Sequence, residues 1–381
     1  MQIIGILAFV VALLISVMIH EFGHYLTARH YGMRVSEFFL GFGKRLWSTQ
    51  RGETEFGIKA IPAGGYCRIE GMAPQDQMPI GEEGRAFYKA SSGKKLIVLG
   101  AGSFLHFVLG FLLLFTLFAG VGTNQVLPVI GEVVKASAAE SAGIQAGDEI
   151  VSINGVKVKN WYKDVQAIRN SGGKDLILGI KRNGQELSIT ATPRLTEVDG
   201  GKRYVLGIIN TTGIERSSFT QSISYSTTVS KNFVTESVKS LIALPSKIPA
   251  LWGQTVRGEE RDANGLVGVV GVARVSGQAI GDGELSFVER ISTFLLIIAS
   301  LNFFVGVFNL LPILPLDGGH MAVAIADEVR ALFAKLRGRP RPAGIDVTLL
   351  TPVTMVVFVI LASLTLLLLV ADVINPVRLN L

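Results

Sequence analysis

One short run in this chain is equipped for hydrolytic chemistry. His20-Glu21-Phe22-Gly23-His24 lies inside a long apolar stretch. On a helix its two histidines stand one turn apart, so both imidazoles project to one side and can share a metal ion. Glu21 lies beside them, where it can take a proton from an attacking water. A carboxylate at the centre of an apolar helix costs ~2–3 kcal/mol on the insertion scale, and no purely structural role requires one there. The competing reading is a polar helix end whose histidines reach the interface, which Arg29 and Tyr31 bring close.

A hydrolytic metal site needs a third protein ligand and an open position. A single cysteine, Cys67, leaves His, Asp and Glu to supply it. A second apolar run ends in Asn309-Leu310-Leu311-Pro312-Ile313-Leu314-Pro315-Leu316-Asp317-Gly318-Gly319-His320. Asp317 is the preferred partner for the histidine pair. His320, three residues on, competes for the role, and Asp-Gly is also an ordinary turn pair. Pro312 and Pro315 interrupt a helix. Broken backbone at membrane depth is tolerated only where protein or a watery cavity receives it.

These motifs need elements to position them. Of 381 residues, 49% are hydrophobic, more than a soluble domain of ordinary composition carries. Four stretches reach the ~20 apolar residues a spanning helix needs: about Ile3–Leu26, Leu96–Val121, Ile291–Leu311 and Val353–Val370. The first lacks a basic leader and a small-residue cleavage site, so it reads as a retained helix and not a signal peptide. The net charge of +6 is what basic loops of a membrane protein bring. No basic stripe interleaved with aromatics points to nucleic acid. Lys and Arg crowd the segments after spans one and three, which therefore read as cytoplasmic. That topology brings His20 and Asp317 to similar depth in one leaflet. The termini and the long segment after span two read as extracytoplasmic.

Taken together, these motifs resemble the site-2 protease family of intramembrane zinc metalloproteases, in particular bacterial members with one PDZ domain. The carriers are HEFGH, then Asn309-Leu310-Leu311-Pro312 with Leu316-Asp317-Gly318, and the glycine-rich Ile61-Pro62-Ala63-Gly64-Gly65-Tyr66 before Glu70-Gly71-Met72. The resemblance implies one catalytic zinc ion on His20, His24 and Asp317, Glu21 as the catalytic base, and Asn309 as a substrate-binding residue. It implies hydrolysis of peptide bonds in transmembrane segments of single-span proteins, such as anti-sigma factors or signal-peptide remnants, in a bacterial inner membrane. It also implies a membrane-reentrant β-hairpin from about Phe39 to Met72. One departure stands out: Ser103 and His106 replace the Pro and Asn of a Gly-Pro-x-x-Asn motif many relatives carry. His106 reads either as a neighbour of the metal site or as a packed polar residue bonded to another helix.

Residues 122–216 have a soluble composition, with Asn154-Gly155 and Asn183-Gly184 as strong turn signals. Ala142-Gly143-Ile144-Gln145-Ala146-Gly147-Asp148-Glu149-Ile150 with Ser152-Ile153-Asn154-Gly155 resembles the bacterial PDZ signature. A helix is expected over Asn160–Asn170. The unit either binds a peptide or partner by strand addition or acts as a size filter.

The expected fold is thus a polytopic α-helical membrane protein with four transmembrane helices, a reentrant hairpin and an inserted PDZ-like β/α domain. Its segments are 1–28 (first helix), 29–95 (hairpin segment), 96–121, 122–216, 217–290 (amphipathic, interfacial), 291–320 (third helix with the LDG motif), 321–350 (loop), 351–373 and a tail at 374–381. The bilayer and transmembrane substrates are the expected partners. Rival readings are a non-catalytic PDZ-bearing scaffold or sensor, and a membrane metal carrier.

Overall fold

The computed structural model describes residues 1–159, 161–198, 201–262 and 265–376. Two units emerge: Met1–Val121 with Ser217–Leu381, and the inserted Gly122–Arg216.

Helix α1 spans Gln2–His30 and carries the histidine pair. It is apolar on nearly all sides before Glu21, as expected of a helix whose surroundings are lipid and protein rather than water. Strands β1 (Val35–Arg51) and β2 (Thr54–Ile69) follow as a long hairpin. This hairpin doubles back on itself. Phe38 is paired with Cys67 on one side and Phe56 on the other, while Ser48 pairs with Gly57. The segment around Gly65–Ile69 therefore lies at one margin of the folded hairpin and runs beside α1. Helix α2 (Ser92–Thr116) comes next and ends in a wide turn over Leu117–Val121.

The inserted unit holds β3 (Thr123–Val133), a helical turn α3 (Ala138–Ser141), β4 (Glu149–Ile153) and β5 (Val156–Lys157). Two further single turns, α4 (Trp161–Asp164) and α5 (Gln166–Arg169), precede β6 (Leu176–Arg182), β7 (Gln185–Ala191), β8 (Arg194–Val198), β9 (Gly201–Val205) and β10 (Ile208–Glu215). The main sheet runs β10-β3-β4-β6-β7, with β5 on β4 and β8–β9 as a separate hairpin. Ile130, Ile150, Leu178 and Ile180 fill its core. Asn154-Gly155 and Asn183-Gly184 both have positive φ, the geometry a two-residue hairpin turn demands. The helix expected over Asn160–Asn170 is instead the pair of short turns, and residue 160 lies outside the described residues.

Helix α6 (Phe219–Val256) opens with a Ser218/Gln221 capping box and continues through Pro245 and Pro249. Helices α7 (Val269–Gly281), α8 (Phe287–Asn309), α9 (Asp317–Leu336) and α10 (Thr351–Ile374) follow. Among the described residues, four helical segments are long and apolar enough to cross a membrane: Gln2–His30, Ser92–Val121, Phe287–Asn309 and Val347–Ile374.

Two expectations change here. The third helix does not run through residue 320: α8 stops at Asn309 and a new helix starts at Asp317. Pro312 and Pro315 lie in the gap, where missing N–H groups and a fixed φ forbid continuation. The expected loop 321–350 is largely helix, because α9 extends to Leu336. Of the tail expected at 374–381, residues 377–381 lie outside the described residues.

Candidate active site

Three elements build the site: α1 supplies His20, Glu21 and His24, α2 packs against their ring faces, and α9 supplies Asp317. Close approach of α1 and α2 rests on missing side chains. A Cβ at Gly23 would lie 2.6 Å from the Ala101 carbonyl oxygen, and one at Gly102 only 2.5 Å from His20 Cε1. Gly102 therefore opens the space that the His20 ring fills. On the other side, Gly318 and Gly319 let the first turn of α9 nest against the break that precedes it. A Cβ at Gly318 would sit 2.3 Å from the Leu310 carbonyl oxygen.

The result is a triangle of ligand atoms. Asp317 Oδ2 lies 3.1 Å from His20 Nε2 and 3.4 Å from His24 Nε2. The two Nε2 atoms are 3.1 Å apart. Tetrahedral zinc with bonds of about 2.0–2.1 Å has ligand–ligand edges of about 3.3–3.4 Å, so this triangle matches one face of such a tetrahedron. Chemistry agrees with geometry. His24 Nδ1 lies 2.8 Å from the Val98 carbonyl oxygen. A carbonyl only accepts, so Nδ1 carries the proton and Nε2 keeps a lone pair directed at the centre. Both histidines are buried, and Asp317 Oδ2 is buried without a hydrogen-bond donor. A buried carboxylate oxygen placed beside two imidazole nitrogens, with no hydrogen-bond donor of its own, is what a divalent cation satisfies.

Glu21 is half-buried, and the Cys67 backbone lies near its carboxylate. A Cβ at Gly65 would stand 3.6 Å from Glu21 Cγ, so the margin of the hairpin passes directly beside this carboxylate. Asn309 is the last residue of α8 and half-buried. Among the described residues His20, His24 and Asp317 alone form a potential metal-binding group, without His320.

His106 satisfies both readings the sequence left open. Its ring centroid lies 5.0 Å from that of His20, and its Nδ1 lies 2.8 Å from Asn302 Oδ1 on α8. Asn302 is fully enclosed; its amide donates to Ser16 Oγ at 3.1 Å and to the Ile298 carbonyl at 2.8 Å. This Ser16–Asn302–His106 chain ties α1, α8 and α2 together behind the metal triangle. Sequence reading missed Asn302 and Ser16. The available signal was a lone amide in the apolar run of α8, which is expensive in lipid unless it meets a partner.

A histidine pair and a carboxylate converging within apolar helices define a membrane-embedded metallohydrolase. Comparison with known sequences agrees: residues 8–359 match the model of peptidase family M50. The chain belongs to that family, the site-2 proteases, and is a zinc metalloprotease of multi-pass membrane type whose general chemistry is intramembrane proteolysis. It is 34% identical to the zinc metalloprotease Rip1 of Mycolicibacterium smegmatis, across 98% of both chains. Identity to Rip1 of Mycobacterium tuberculosis is 32%, across 100% of this chain and 99% of the relative.

Proposed function

We propose that this protease cleaves peptide bonds within the transmembrane segments of single-span membrane proteins, with zinc held by His20, His24 and Asp317. The observation that carries this reading is the 3.1–3.4 Å triangle of ligand atoms buried among apolar helices. Bound there, zinc supplies a Lewis acid that makes water a nucleophile near neutral pH and polarises the scissile carbonyl. Glu21 takes the proton from the attacking water and returns it to the departing amide nitrogen. Asn309 binds the substrate backbone or the developing oxyanion, a role supported by its place at the end of α8 where the helix breaks.

An intact substrate helix hides its amides, so the substrate must unwind before attack. The margin of the hairpin at Gly65–Ile69 suits that task, because an extended segment can add to it as a strand beside Glu21. This reading takes the hairpin as membrane-reentrant. The inserted unit is PDZ-like, supported by its Ala142–Gly155 signature, and limits access or binds a peptide. The crowding of Lys and Arg after spans one and three supports an active site near the cytoplasmic leaflet of a bacterial inner membrane. Anti-sigma factors and signal-peptide remnants are the expected substrates.

The test is Glu21→Gln in purified protein reconstituted with a single-span substrate. Zinc should stay at one ion per chain while cleavage is lost. Full turnover by Glu21→Gln would remove Glu21 from the chemistry and the reading with it.

A further inference from the structure

Helix α9 does more than deliver Asp317. Its second half shows an exposed apolar stripe: Ile325, Val329, Leu332 and Leu336, 45–74% exposed, recur at the four-three-four spacing of one helical face. Phe333 beside them is 55% exposed. The opposite face is the one that packs, through Ala324 and Ala334. Where α9 ends, Arg330, Arg337, Arg339 and Arg341 line an open cleft of about 610 Å³ floored by Phe333 and Ala334.

The charges of this cleft are unevenly spoken for. Arg341 is paired with Glu328 at 2.6 Å, and Arg330 lies 3.4 Å from Asp327. Glu328 is further engaged by the Ser92 hydroxyl. Arg337 and Arg339 have no ion pair among the described residues. Two arginines with no ion pair among the described residues thus line one cleft, next to an apolar stripe, in a helix joined at both ends to spanning helices.

We propose that this cleft binds the phosphate headgroup of an anionic phospholipid, with the α9 stripe buried at the acyl boundary. Guanidinium forks match phosphate oxygens in pairs. An amphipathic helix with Leu and Phe on one face and Arg on its flank lies in the interface plane. Basic residues at a membrane surface recognise anionic headgroups. A protein partner or a second chain would cover the stripe equally well, but neither calls for two such arginines at its end. Because Asp317 opens the same helix, docking also steadies the metal-binding turn; this consequence alone rests on the metal-site reading.

The experiment uses the full chain in phosphatidylcholine nanodiscs, with headgroup-labelled phosphatidylglycerol as probe. Saturable binding is expected, weakening with salt. Arg337→Gln with Arg339→Gln should lower affinity by roughly 25-fold, at roughly five-fold per arginine, while Arg→Lys at both positions keeps most of it. Unchanged zinc content shows that the variant retains its fold. Leu332→Gln with Leu336→Gln leaves the arginines in place and should lower affinity without altering the salt dependence. Equal affinity in the Arg→Gln variant would overturn the proposal. So would saturation of the cleft by inorganic phosphate alone, or equal binding of labelled phosphatidylcholine. Concentration-dependent dimerisation lost in the variant would assign the face to a second copy instead.

Discussion

Two carboxylates in this chain, buried Asp148 and half-buried Asp317, have opposite surroundings. In the inserted unit Asp148 is 1% exposed, yet every oxygen is answered. Arg182 donates to both oxygens at 2.7 Å, and the Gln145 amide adds a third bond at 2.8 Å. The Arg182 guanidinium holds this carboxyl below the usual carboxylate range. In the helical unit Asp317 Oδ2 meets only imidazole nitrogens and no proton donor. The first arrangement completes itself with protein atoms and serves stability. The second lacks such protein partners, which is the arrangement the proposed zinc site would complete.

Replacing each carboxylate should therefore break different things. Asp317→Asn is expected to lower cleavage of a reconstituted substrate by at least about three orders of magnitude, since on the proposed zinc reading it removes a ligand worth several kcal/mol in the transition state. Asp148→Asn should leave cleavage within a few-fold. Comparable losses in the two variants would erase the distinction.

A middle-sized effect probes how the metal cradle is shaped. Gly102→Ala places a methyl where the His20 ring lies. Activity should fall by about two orders of magnitude, the cost of a misplacement near 1 Å at a reacting centre, with helical content unchanged by circular dichroism. Wild-type turnover in this variant would mean the ring is not confined by α2.

The smallest effect belongs to the inserted unit. Arg182→Met strands Asp148 and should lower the thermal stability of that unit. The loss is smaller than for a fully buried pair, because Arg182 remains 24% exposed. The pH dependence has a definite sign. A carboxyl whose folded value is depressed contributes stability that is fully present above its unfolded value near ~4 and is lost as pH falls through the folded value. Protection of the β4 and β6 amides in the full chain, after correction for the intrinsic exchange rate at each pH, should thus fall below about pH 4 in wild type. In Arg182→Met the added acid sensitivity should shrink; equal slopes would deny the pair its role.

The two regions also differ in how far sequence exposes them. His20, Glu21 and His24 are legible because helical spacing alone places them together. Asp317 is legible as a carboxylate closing an apolar run. The strands bounded by Asn154-Gly155 and Asn183-Gly184 are legible from turn chemistry. What stays hidden depends on contacts far apart in the chain. Pro312 and Pro315 signal a break but not that a helix resumes at Asp317. Nothing local tells that Asn302 will meet Ser16 and His106, that Gly102 will leave room for His20, or that the hairpin folds back so Cys67 reaches Glu21.

X-ray absorption at the zinc edge of the purified protein tests the central assignment most directly. One zinc per chain with two imidazole nitrogens and carboxylate oxygen at about 2.0–2.2 Å, lost in Asp317→Asn but kept in His320→Asn, is the predicted result. A three-imidazole spectrum, or zinc retained by Asp317→Asn and lost by His320→Asn, would contradict it.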